Sequence, residues 1–201
     1  MAEHELERKW SIWLSSRTKK NPADKTRPRA ESPADSGSRG GAAPSGAEDD
    51  SFTPPKMTSE FKDIAAYWKH MNAIPVPSKL FVDTNVFIFQ TGTPPVWEHQ
   101  NNKNGGRWTF AVKNDDPKAC DHLWLQAHLT LVGETLDPAF EVIGVALARR
   151  RAYTRVSVWT KHRENKEMNM EIGKRFKEFT GARKLEYQDH GEGYKSYRYV
   201  L

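Results

Sequence analysis

Strand-like and helix-like segments follow one another along this chain in an order that is not a strict β–α alternation. From the amino terminus the hydrophobic patterns read strand, helix, strands, helix, two strands, helix, strand. That order predicts an α+β fold, a mostly antiparallel sheet covered on one face by helices.

The helices are legible from apolar spacing. Ser59 can cap a first helix over residues 60–72, which Pro75 and Pro77 end; Phe61, Ile64, Ala65 and Trp68 form its stripe, with Tyr67 and Met71 off to one side. A second helix, 117–134, carries two stripes. Cys120, Leu123, Trp124, Ala127 and Leu131 cluster on one side, and Leu125, Leu129 and Val132 on nearly the opposite one. A surface helix needs one apolar stripe, so the second requires a further partner. That partner is either a part of this chain or an amphipathic helix of another protein laid in a groove. The third helix, 164–180, aligns Met168, Ile172, Phe176 and Phe179, with Gly181 as its C-cap.

Among the strands, Trp10, Ile12 and Leu14 share a face of residues 4–14, where Trp10 and Trp13 read most simply as core. Residues 80–90 are apolar without strict alternation. Residues 141–148 are small on one face and branched on the other, and the chain ends in a strand-like run after Tyr194.

Composition divides the chain into a first strand (1–14), an insert (15–51) and the remainder of one domain (52–201). The insert has Pro, Gly, Ser, Ala and charges but no large apolar side chain. It cannot offset its ordering entropy and is predicted to be flexible, with Ser32-Pro33 a candidate phosphorylation site. The balance of 31 basic against 26 acidic residues gives +5, compatible with a phosphate-bearing partner without demanding one. Cys120 is the single cysteine, which excludes an internal disulfide and fits a reducing compartment. The charged start lacks an apolar signal core, and no apolar run approaches the ~20 residues of a membrane helix. The expectation is a cytosolic chain, with nuclear access left open and no membrane partner.

Residues 95–108 read PVWEHQNNKNGGRW and place Trp97 beside Glu98. An indole face attracts a cationic ring, and a neighbouring carboxylate accepts two N–H bonds from the ring edge. An N7-methylated guanine is such a ring. Farther along, Arg155, Ser157 and Trp159 share one strand face beside the run Arg149-Arg150-Arg151. That suits an anionic ligand attached to an aromatic base; a solvated basic hairpin with one core Trp is the alternative. No metal-ligand spacing and no phosphate-cradling glycine motif is present, so no cofactor is expected. Two rivals come from other classes: a nucleotide hydrolase using Glu98 as general base, and a sequence-tolerant single-strand RNA binder.

The motif P-x-W-E…GGRW, together with W-L…L-x-G-E from Trp124-Leu125 to Gly133-Glu134, resembles the eukaryotic translation initiation factor 4E family of mRNA cap-binding proteins. The resemblance spans nearly the whole chain except about residues 15–51, and Trp10 and Trp13 match the family's W-x-x-W. It implies a curved antiparallel sheet, cupped like a hand, with three helices on the convex back, and binding without catalysis. The implied ligand is the 7-methylguanosine cap of mRNA. Trp97 and Phe52 would sandwich the base, with Glu98 on its N1 and N2 protons. Arg107, Arg150 and Arg155 would face the triphosphate, and Trp159 the methyl group. Phe52 also reads as a loop residue tucked against the core. For the convex face, the resemblance implies partner-binding residues Ile64, Trp68, Leu125, Gln126 and Leu129, joined by His4 and Leu6 ahead of the first strand. The implied partner is an amphipathic helix of a scaffold or inhibitory protein of the initiation factor 4G or 4E-binding type, recruited for translation initiation. A repressor that competes for caps without recruiting a scaffold is the alternative.

The sequence departs from the family pattern in the long insert, in His4-Glu5-Leu6 for H-P-L, in Gln126 for a glutamate, and in Ala152 for a lysine that Arg151 could replace. Residues 188–193 read as a loop beside which Tyr187, His190 or Tyr194 could stack on nucleotides beyond the cap; a plainly solvated loop is the other reading.

Overall fold

The structure, a computed structural model, describes residues 4–16, 55–137, 139–190 and 198–201. Alternation along strands and stripes along helices sort its side chains into two unequal clusters on the two faces of one sheet. The strands are β1 (Glu5–Ser16), β2 (Lys56–Asp63), β3 (Thr84–Gln90), β4 (Gly106–Lys113), β5 (Val142–Arg149), β6 (Tyr153–Thr160), β7 (Glu186–Asp189) and β8 (Tyr199–Val200). They form an open, curved sheet in the order β2-β1-β3-β5-β6-β4-β7-β8, with neighbours antiparallel. The helices α1 (Ile64–Ala73), α2 (Pro117–Val132) and α3 (Lys166–Thr180) cover its convex face.

On that face Trp10 and Ile12 of β1, Val86 and Ile88 of β3, and Val156 and Val158 of β6 meet the helices. The helices contribute Tyr67 and Met71, Leu123, Trp124 and Leu131, and Ile172 and Phe176. Each such side chain taken fully out of water contributes about 1.5–3 kcal/mol. Trp108 of β4 adds a hydrogen bond, its Nε1 donating to the Asn169 carbonyl at 2.7 Å. The α2 stripe read from sequence, Cys120 through Leu131, is buried as expected, and Gly181 ends α3 with φ of 65°, a left-handed value that glycine adopts freely. The concave face carries the smaller cluster, Phe87, Phe89, Ile143 and Trp159, with Trp13 and Ala146 against it.

A charge pair ties three elements together below the convex cluster. Arg8 is 9% exposed, donates to both carboxylate oxygens of Glu134 and, at 2.7 Å, to the Val142 carbonyl. Its guanidinium lies 4.7 Å from the Trp10 ring and 5.1 Å from Phe140.

Several boundaries differ from the sequence reading. Residues 56–63, expected as approach and start of a helix, are strand β2, which pairs with β1 at Phe61↔Trp10 and Ser59↔Ile12. The helix starts at Ile64, capped by Asp63 rather than Ser59; the Asp63 carboxylate accepts from Ala66 N at 2.7 Å. The inward face of α1 is therefore Tyr67 and Met71; of the stripe read from sequence, Phe61 is buried in β2 while Ile64 and Trp68 turn outward, 42% and 40% exposed. β1 runs on to Ser16, two residues into the stretch that composition gives to the insert. β3 begins at Thr84 instead of Leu80, and Phe81 lies outside it in solvent. Helix α3 starts at Lys166, and its Phe179 is exposed rather than core. Gln188 and Asp189 belong to β7 instead of a loop. The rest of the insert, with Ser32 and Pro33, lies outside the described residues, as do Phe52 and Tyr194. No described helix is long and apolar enough to cross a membrane.

Candidate functional site

The concave face opens into a cavity of about 540 Å³ between the sheet and the loop that joins β3 to β4. Strand parity builds its floor. In antiparallel pairs, residues directly opposite share a face. Trp159 stands opposite Arg107 on β4 and Gly144 on β5, Ser157 opposite Thr109 and Ala146, and Arg155 opposite Ala111 and Ala148. The alanines on β5 leave room above the floor that larger side chains would fill, and at Gly144 the Phe89 ring takes the side chain's place. Phe87, opposite Ala146 on β3, contributes an aromatic wall.

The loop supplies the other side. Trp97 is 50% exposed at the cavity rim, with Glu98 beside it. Their presentation depends on Asn102, fully buried, whose side-chain amide donates to the carbonyls of Pro94 at 2.9 Å and Val96 at 2.7 Å. The Asn102 carbonyl in turn accepts from His190 Nδ1 at 2.7 Å, and the His190 ring lies 4.2 Å from that of Trp159. Loop and floor thus meet in one histidine. Burial, aided by the Arg107 and Arg163 charges, pushes the His190 pKa down to about 4, so the ring is neutral at pH 7. The two glycines of the GGRW motif are sterically required where the loop rejoins the sheet. A Cβ at Gly105 would strike the Thr160 carbonyl, and one at Gly106 the Tyr187 ring at 2.6 Å.

Six of the residues singled out from sequence line this one cavity: Trp97, Glu98, Arg107, Arg150, Arg155 and Trp159. Three guanidinium groups and one carboxylate give it a positive balance suited to a phosphate chain. Arg107 donates to Gln188 Oε1 at 3.1 Å and lies 5.9 Å from the Trp159 ring centre. Arg150 donates to Asn85 Oδ1 at 2.8 Å, and Asn85 donates to Ser15 Oγ, so β1 and β3 hold that guanidinium in place. Trp159 is only 5% exposed and packs edge-on against Phe89, centres 5.2 Å apart.

Two of the stacking positions read from sequence are corrected. Tyr187 is fully buried on the convex side, its hydroxyl 2.8 Å from Thr160 Oγ1, and burial raises its pKa well above the ordinary phenol value. His190 is only 4% exposed, held between the Asn102 carbonyl and the Trp159 ring instead of standing in a solvated loop. Asn102, Phe87 and His190 were not singled out for these roles from sequence. Asn102 and His190 are 88 positions apart.

On the convex face, Trp68, Val76, Leu125 and His128 help line a groove of about 410 Å³ between α1, the turn Pro77–Lys79 and α2. Leu125 is exposed, Gln126 and Leu129 are half-buried, and Leu129 packs on the core. His4 is exposed, its carbonyl accepting from Ile64 N at 3.1 Å, and Leu6 packs half-buried on the core.

Comparison with known proteins matches residues 5–198 to the family profile described as eukaryotic initiation factor 4E. Translation initiation factor 4E-1 of Schizosaccharomyces pombe is 37% identical over 140 residues, which make up 68% of this chain and 64% of that protein. Translation initiation factor isoform 4E of Nicotiana tabacum is 29% identical over 189 residues, covering 94% of this chain and 81% of its own length. Among solved structures, eIF4E-3 of C. elegans, in complex with the 4E-binding protein Mextli and a cap analog, superposes over 100% of both chains with a TM-score of 0.75 at 25% identity. The chain belongs to the eukaryotic initiation factor 4E family.

Proposed function

We propose that this chain binds the 7-methylguanosine cap of mRNA and acts in translation initiation, by binding and not by catalysis. The observation that carries the reading is the convergence, on one cavity, of Trp97 and Glu98 from the loop with Arg107, Arg150, Arg155 and Trp159 from the sheet. In it Trp97 stacks on the methylated base, and Phe52 is assigned to the opposite side. Glu98 accepts the N1 and N2 protons, Trp159 meets the methyl group, and the guanidinium groups take the triphosphate. The test is quenching of tryptophan fluorescence on titration with 7-methyl-GTP against GTP. The base charge created by methylation is worth roughly 2 kcal/mol over an indole at a desolvated site, so about a 30-fold preference is expected. Equal affinity would point to a plain base stacker, and released diphosphate or monophosphate to a hydrolase.

We further assign the convex groove to an amphipathic helix of a scaffold or inhibitory protein. Exposed Ile64, Trp68 and Leu125 support this, since large apolar side chains clustered in solvent mark interaction surfaces. His4 and Leu6 are assigned to the same partner. Trp68→Ala is expected to weaken binding of a scaffold peptide at least tenfold, in the range of an aromatic interface anchor, and to leave 7-methyl-GTP affinity alone. Equal loss of both ligands would assign Trp68 to folding instead.

A further inference from the structure

The row of cavity residues on β6 does not end at Arg155. Tyr153 has the same parity as Trp159, Ser157 and Arg155 and so stands on the concave face, at the outer end of the strand. It is 37% exposed and lies beyond the cavity rim. Its antiparallel partner is Lys113 of β4, also exposed and on the same face. An aromatic ring and an ammonium group therefore sit side by side, one step past the residues assigned to the triphosphate. Two residues of strand span about 7 Å, close to the reach of one nucleotide.

This outer end is held firmly. Arg150 N donates to the Tyr153 carbonyl at 2.9 Å, and Asn114 Nδ2 donates to the carbonyls of Arg150 at 2.7 Å and Arg151 at 3.0 Å. Thr154, next to Tyr153, donates its hydroxyl to Asn114 Oδ1 at 2.9 Å. The ring thus projects from a braced hairpin, a fixed platform of the kind on which single-stranded bases stack.

We infer that Tyr153 and Lys113 form a second nucleotide subsite, in which the base of the first nucleotide after the triphosphate stacks on Tyr153 and the phosphate that follows pairs with Lys113. This rests on the cap reading, because the direction of the track is set by the methylated base at Trp97 and Trp159. The subsite accepts any base, since a phenol face offers stacking without edge recognition.

The test titrates the full chain and its Tyr153→Ala, Tyr153→Phe and Lys113→Gln variants with two probes, 7-methyl-GTP and the capped dinucleotide m7GpppApG. Stacking of one base implies that Tyr153→Ala lowers the affinity for m7GpppApG relative to 7-methyl-GTP by about tenfold, with Tyr153→Phe close to wild type. Lys113→Gln is expected to flatten the salt dependence of m7GpppApG binding by roughly the slope of one phosphate contact, and to leave that of 7-methyl-GTP unchanged. An unchanged ratio of the two affinities in Tyr153→Ala overturns the subsite while the cap reading stands. Equal loss of both probes overturns it too, assigning Tyr153 to the fold. Failure of the wild-type chain to bind 7-methyl-GTP at all removes the cap reading itself.

Discussion

Glu98→Ala is expected to abolish retention on 7-methyl-GTP resin. In the proposed pose the carboxylate accepts two hydrogen bonds from a cationic base, and bonds to charged groups contribute about 1.5–3 kcal/mol each. Losing both lowers affinity by roughly 100- to 10,000-fold. Trp97→Ala removes the indole face and costs about 2 kcal/mol or more where the pair is desolvated. Both side chains are exposed at the rim and outside the core, so thermal unfolding of either variant should match wild type. That contrast separates a binding defect from a folding one. Full retention by either variant would sink the assignment of the loop to the base.

The largest effect on stability is expected at Glu134, far from the cavity. Glu134→Ala leaves the buried Arg8 guanidinium with the Val142 carbonyl and two ring faces but without a counter-charge. Breaking one partner of a buried pair costs about 3–5 kcal/mol. For a domain of this size that lowers the unfolding midpoint by roughly 10 °C. The double variant Arg8→Met, Glu134→Leu removes both charges together and should recover much of the loss. A single-variant loss below about 1 kcal/mol in urea unfolding would mean that water already solvates the pair.

What could be read from sequence depended on whether one face of an element had to differ from the other. In α2 the buried stripe was legible because Cys120, Leu123, Trp124, Ala127 and Leu131 alternate with charged and polar positions. In β6 the parity of Arg155, Ser157 and Trp159 identified the cavity face without any neighbour being known. The small face of β5 was also visible, although its use as the cavity floor was not. In β3 the same reasoning had nothing to hold, since Val86, Phe87, Ile88 and Phe89 are apolar on both faces, and both faces are in fact buried. The start of α1 was misplaced for a different reason. Phe61 fits the helical spacing with Ile64, Ala65 and Trp68, and only pairing with β1, a long-range contact, decides for strand. His190 lay hidden in a polar, glycine-flanked stretch because its partners, Asn102 and Trp159, belong to other parts of the chain.

The two-sided burial of β6 has a consequence for how this protein can misfold. From Thr154 to Thr160 every residue is buried or half-buried, with Val156 and Val158 beneath the helices and Ser157 and Trp159 above the cavity floor. A slip of one residue against β5 would exchange the two sets. It would drive an indole into the convex core and leave valine on the cavity floor. The irregularity between Val142 and Gly144 lies at this point, with Gly144 opposite Trp159 and a Phe89 ring carbon 2.5 Å from where its Cβ would stand. Any other residue of β5 in that place would collide with the ring. The clash acts as a stop on the sliding of β5 against β3, so β6 pairs with a strand whose register is already set.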